Sequence, residues 1–132
     1  MGTRSLTFIY ANDKTTKAGR ACCMYRQCDG YPSGHGTELA EFLAGGDMVN
    51  GITPGSRNIF NGMTCLAAQM VAHFKDGPGH IYLYPTNTAD AWQDYEYHVY
   101  FVGGKFNIVV KDPTDEIFKG SLDEFAAFCK EN

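Results

Sequence analysis

The run "YEYHVYFVGGKFNIVVK", Tyr95 to Lys111, leaves the chain the least choice. Gly103 and Gly104 suit the positive φ angles of a two-residue primed turn, and such a turn fixes the register of the strands it joins. Phe101 then opposes Phe106, Val99 opposes Ile108 and Tyr97 opposes Val110, all on one face. On the other face Glu96 opposes Lys111, His98 opposes Val109 and Tyr100 opposes Asn107. The apolar and polar sets separate, as cross-strand pairing in a half-buried sheet requires.

Other segments extend this hairpin into a sheet. "SLTFIYA", Ser5 to Ala11, alternates Leu6, Phe8 and Tyr10 against Thr7, Ile9 and Ala11, and reads as a strand. After a polar connection, "RACCMYRQC", Arg20 to Cys28, reads as its hairpin partner. Cys22, Met24, Arg26 and Cys28 lie on one face of it, and Ala21, Cys23, Tyr25 and Gln27 on the other. "HIYLYP" sets Ile81 and Leu83 against His80, Tyr82 and Tyr84, and "DEIF" supplies a short closing strand.

Three helices complete the pattern. Thr37 is placed to cap the first, in which Leu39, Phe42 and Leu43 share a face before Gly45 and Gly46 stop it. The second runs between Asn61 and Gly77. It is apolar nearly all round, so it is expected to be buried, with His73 a core histidine. The third opens on a Ser121–Glu124 capping box and carries Leu122, Phe125, Phe128 and Cys129 as its buried stripe. Between the first two helices, "GDMVNGITPGSRNIFNG" reads as one long irregular segment. The order ββααβββ(β)α predicts an α+β fold: a mainly antiparallel sheet with helices packed on one face. At 132 residues, 1–132 is expected to be a single globular domain.

Composition narrows the function classes. The chain is 44% hydrophobic, ample for a core, and carries a formal charge of −4 with no lysine/arginine cluster. That argues against a DNA or RNA polymer as partner but leaves room for a small anion, which needs only a few local donors. No apolar run reaches the length of a membrane span, and the first residues lack a signal-peptide core, so a cytoplasmic location is expected and no membrane partner. The five cysteines, two of them adjacent and none in a Cys-x-x-Cys pair, suit reduced thiols rather than a disulfide framework or zinc site. Carboxylates do not pair persuasively, so neither a metal nor a cofactor is expected.

Three constellations could carry chemistry. In "YRQCDGYPSGHGTELAEFL", Gly30, Gly34 and Gly36 lie between a strand and a helix start. Backbone N–H groups there, with the helix dipole, could hold phosphate or carboxylate. Tyr31 and His35 sit in the same loop, and Arg26 and Arg57 are nearby cations. The alternative is a sharp corner stiffened by Pro32. Next, Tyr82, Tyr84, Trp92, His98 and Tyr100, with His80, are expected on one side of the sheet. They could stack on a nucleotide-like ligand or form a subunit interface in a homo-oligomer. Last, Cys65 near a helix start, with His98 and Asn107 on paired strands, resembles the order found in papain-like cysteine hydrolases. Cys65 would be nucleophile, His98 base and Asn107 its orienter. The papain motif around the cysteine is missing, and His98 and Asn107 sit diagonally across the hairpin. The alternative is a structural thiol.

Taken together, "YRQCDGYPSGHG", "VNGI", "NGMTCLAAQ" and the glycine hairpin resemble small uncharacterised proteins of bacteriophage and prophage genomes, over nearly the whole chain. No catalytic residues carry over with that resemblance, and it implies a host-cytosol location. A looser analogy is to short acidic phage proteins that counter host defence by sequestering nucleotide signals without cleaving them. The expectation is a non-catalytic binding protein for a small anionic, nucleotide-like ligand. The alternatives are the cysteine hydrolase and a protein-interaction module that inhibits a host enzyme.

Overall fold

The computed structural model of the protein describes residues 2–51 and 58–132. Among these residues, eight strands and three α-helices form one six-stranded sheet, one small two-stranded sheet and a helical layer. The strands are β1 (Ser5–Tyr10), β2 (Arg20–Arg26), β3 (Asp47–Val49), β4 (Ile59–Asn61), β5 (Ile81–Tyr84), β6 (Tyr95–Val102), β7 (Lys105–Lys111) and β8 (Glu116–Ser121). The helices are α1 (Thr37–Ala44), α2 (Gly62–Phe74) and α3 (Leu122–Glu131). The large sheet has the order β5-β2-β1-β6-β7-β8. All its pairs are antiparallel except β1 with β6, the junction that joins the two antiparallel halves.

The glycine hairpin forms as the sequence predicts. Gly103 and Gly104 have φ of 62° and 79°, and the six expected cross-strand pairs are those observed. The capping box is also present, with Ser121 and Glu124 bonding each other's backbone N–H. β1 and β2 pair as a hairpin, although both end sooner than expected, at Tyr10 and Arg26.

Alternation along the strands yields two faces. Ile9, Met24, Tyr97, Val99, Ile108 and Val110 face the helices and meet Leu39 and Leu43 of α1, Met63, Leu66 and Met70 of α2, and Phe125 of α3. Burying side chains of this size contributes about 1.5–3 kcal/mol each. The opposite face carries a smaller cluster of Leu6, Phe8, Tyr10, Cys23 and Tyr25, edged by Tyr84, Ala91 and Tyr100. β1, in mid-sheet, is therefore buried on both sides along its whole length.

Several expectations are corrected. The segment after α1 is not wholly irregular, because β3 and β4 pair in parallel at its ends. α2 is one-sided: Met63, Leu66, Ala67 and Met70 are buried while His73 is exposed, leaning on Phe42 and Phe74. Thr37 does not cap α1. Its backbone is already helical, and a wide helical turn over Pro32–Gly36 runs directly into the helix, with Tyr31 extended just before it. Pro32 thus takes the first helical position, where its missing N–H costs nothing.

Candidate functional site

The glycine loop is mostly architecture. The N–H groups of Gly30, Gly34, His35 and Gly36 donate to Thr3, Tyr31, Asp29 and Tyr31 carbonyls, and that of Thr37 to Gly34 and Pro32. The N–H groups from Gly34 to Thr37 are therefore not left over for an anion. The glycines answer to space instead. A Cβ on Gly30 would lie 2.8 Å from Ser5 Cβ, one on Gly34 2.6 Å from the Asp29 carbonyl, and one on Gly36 2.6 Å from Cys129 Sγ. Tyr31 stays partly exposed, its hydroxyl reaching Asp29 only at 3.4 Å.

His35 is drawn fully inside, under the sheet. Its Nε2 lies 2.7 Å from Thr7 Oγ1 and its Nδ1 3.2 Å from Arg26 Nη1. Arg26 has only N–H groups to offer, so Nδ1 accepts and the proton sits on Nε2. Burial first, then the Arg26 charge, pushes the imidazole down to about 3. The ring is a neutral strut between β1 and β2, and neither nitrogen is free for a ligand. Arg26, only 6% exposed, also donates from Nε to the Cys28 carbonyl and from Nη1 to Glu38. Arg57 lies outside the described residues.

Arg26, His35 and Glu38 belong to the helix side of the sheet, whereas Tyr82, Tyr84, His98 and Tyr100 project from the far side. The sheet therefore stands between the two halves of the expected site, and one small ligand cannot touch both. The same geometry separates Cys65 from His98. Cys65 lies on α2, which packs on the helix side, and its thiol bonds Gln69 Oε1 at 3.2 Å. The Cys65–His98–Asn107 arrangement is not assembled. Three other thiols are structural: Cys22, Cys23 and Cys129 are pushed up to about 11, 12 and 12, chiefly by burial. Cys28, expected on the buried strand, lies past its end and is exposed.

His80, expected on the far face, lies just before β5 with φ of 66° and lines a cleft on the helix side with Arg26; the other expected aromatics sort into three places. Tyr82 and Tyr84 cluster with Tyr25 at the β5 edge. Three strand spacings, about 14 Å, separate them from Tyr100. Trp92 is 81% exposed in the segment before β6. His98 is buried in a chain of polar groups. Arg20 Nε donates to the Tyr10 hydroxyl at 3.0 Å, that hydroxyl lies 2.8 Å from His98 Nδ1, and His98 Nε2 lies 2.9 Å from Glu96 Oε1. Desolvation lowers the His98 pKa despite Glu96. A neutral ring beside a carboxylate carries its proton on Nε2, so Tyr10 donates to Nδ1. Both nitrogens are occupied, and His98 orients its neighbours instead of meeting a ligand.

Beside this chain the face of β6–β8 opens into a groove of about 360 Å³, lined among others by Thr15, Tyr100, Asn107, Lys111, Glu116 and Lys119. Tyr100 is held flat by stacking on Tyr10, with ring centroids 4.2 Å apart and planes 23° apart. Lys111 and Lys119 come from neighbouring strands, opposite Glu96 and Val109. Of the groove residues, Tyr100 and Asn107 are among those the sequence singles out. Lys111 was visible in the hairpin register, but Lys119 depends on the β7–β8 register, which includes a bulge at Val110/Lys111. No helix is long and apolar enough to cross a membrane among the described residues. Neither a family model nor a curated protein nor a solved structure matches the chain.

Proposed function

We propose that the protein is a non-catalytic binding module that holds a small anionic, nucleotide-like ligand in the β6–β8 groove. The observation that carries this reading is the alignment of a pre-set aromatic, Tyr100, with an amide, Asn107, and two ammonium groups, Lys111 and Lys119, set against the single carboxylate of Glu116 on one uncovered sheet face. A planar base stacks on Tyr100, Asn107 reads its edge, and the lysines meet phosphate as point charges. The groove volume falls in the range of small-molecule sites. Read with the resemblance to phage proteins, binding without turnover is sequestration: it withdraws a host signal nucleotide. Self-association belongs to the same proposal, through the β5 edge, where Tyr82 and Leu83 are 45% and 63% exposed.

Calorimetric titration with cyclic nucleotides and ADP-ribose tests the reading. Saturable binding that weakens with added salt, weakens in Lys111→Ala and Lys119→Ala, and is lost for the matching nucleosides is the expected result. Absence of heat for every phosphorylated ligand, or binding indifferent to both lysines, would overturn it.

A further inference from the structure

A second cleft, on the helix side, is chemically unlike the first. It measures about 300 Å³ and is lined by Arg26, Glu38, Glu41, His73, Phe74 and His80. Its floor is Arg26, more than nine-tenths buried. The hydrogen bonds of this guanidinium run from Nε to Cys28 and from Nη1 to His35 and Glu38, leaving Nη2 without a partner among the described residues. Nη2 is nevertheless not sealed in, since among the described residues Ser5 Oγ, outside this cleft, is the one fully enclosed side-chain polar atom without a partner. A donor that lines a cleft and has no partner in the chain is open to an acceptor from outside it.

The walls say which acceptor. Glu38 and Glu41, one turn apart on α1, set two carboxylates against one guanidinium. A phosphate dianion would meet both carboxylates at close range, and a plain cation would leave Nη2 unmet. A molecule carrying one carboxylate and one ammonium satisfies both ends. The Phe74 ring, 6.0 Å from the Arg26 guanidinium, gives the apolar part a flat wall.

We infer that this cleft binds a small zwitterion of the α-amino-acid type, its carboxylate on Arg26 Nη2 and its ammonium on Glu41 and the outer oxygen of Glu38. The site is independent of the sheet groove.

The test is an NMR titration of the full chain with L-phenylalanine, phenethylamine and 3-phenylpropionate, following amides of α1, Phe74 and His80. L-Phenylalanine is expected to bind saturably, at least tenfold tighter than either single-charge analogue. Glu41→Gln, at an exposed position, should weaken L-phenylalanine several-fold and leave 3-phenylpropionate no weaker. Arg26→Lys, which keeps a charge but loses the fork, should abolish L-phenylalanine binding while the amide spectrum stays dispersed. If that variant unfolds, the Glu41→Gln result decides alone. No saturable shifts with L-phenylalanine, equal affinity for 3-phenylpropionate, or an unchanged affinity in Glu41→Gln would each overturn the inference.

Discussion

The two faces of the large sheet spend their polar residues differently. Under the helices, Thr7, Arg26 and His35 are buried and tied to one another. On the open half of the far face, Asn107, Lys111 and Lys119 line a groove. An unmet polar group is costly where water is excluded and nearly free where it is not. The covered face therefore turned even a loop histidine into a structural part and leaves Arg26 Nη2 open only where a cleft reaches it, whereas the open face leaves its polar groups available. A histidine in a glycine loop is thus a weaker sign of a site than lysines on an uncovered strand face.

Substitutions on the two faces should differ accordingly. The largest expected effect is on the covered side, where Phe125→Ala removes a fully buried ring and should cost about 3–5 kcal/mol in urea unfolding. Gly36→Ala should come next, at about 1–3 kcal/mol. Its backbone φ of −59° suits alanine, so the whole penalty comes from the approach to Cys129 Sγ. Combining it with Cys129→Ala should recover most of the loss; an additive double variant would show that the contact is not the cause.

The buried histidine gives the covered face a pH signature. His35 titrates near 6.5 when unfolded and at about 3 when folded, so the unfolded chain binds the extra proton between those values. The contribution of His35 is complete above about pH 6.5 and falls by roughly 1.4 kcal/mol per pH unit as pH drops toward 3. His35→Gln should be less stable at neutral pH and show a shallower decline between pH 6.5 and 5. An unchanged slope would mean that the ring is protonated in the fold. At the other extreme, Lys119→Ala on the open face should move stability by less than about 0.5 kcal/mol while weakening nucleotide binding. Leu83→Lys at the β5 edge should be equally mild in urea and should abolish self-association in sedimentation.

Local chemistry made part of this molecule legible from its residues alone. Gly103-Gly104 determined the β6–β7 register because only a primed turn fits two glycines between alternating strands, and Ser121 with Glu124 determined where α3 begins. The alternation placed Tyr82, Tyr84, His98 and Tyr100 on one face but wrongly added His80, whose φ of 66° before β5 breaks the alternation and turns it to the helix side. The candidate site was less legible. Tyr100 and Asn107 could be paired from the hairpin, but Lys119 joins them only through a bulged register, and Thr15 only through folding of the β1–β2 connection. Other matters belonged wholly to tertiary structure. That Arg26 and His35 lie on the opposite side of the sheet from Tyr100, that Cys65 never meets His98, and that three glycines serve close packing are consequences of which face the helices cover. Sequence period says that two faces exist. Only the assembled layers decide which one loses its water, and with it which polar residues become structure and which remain free to bind.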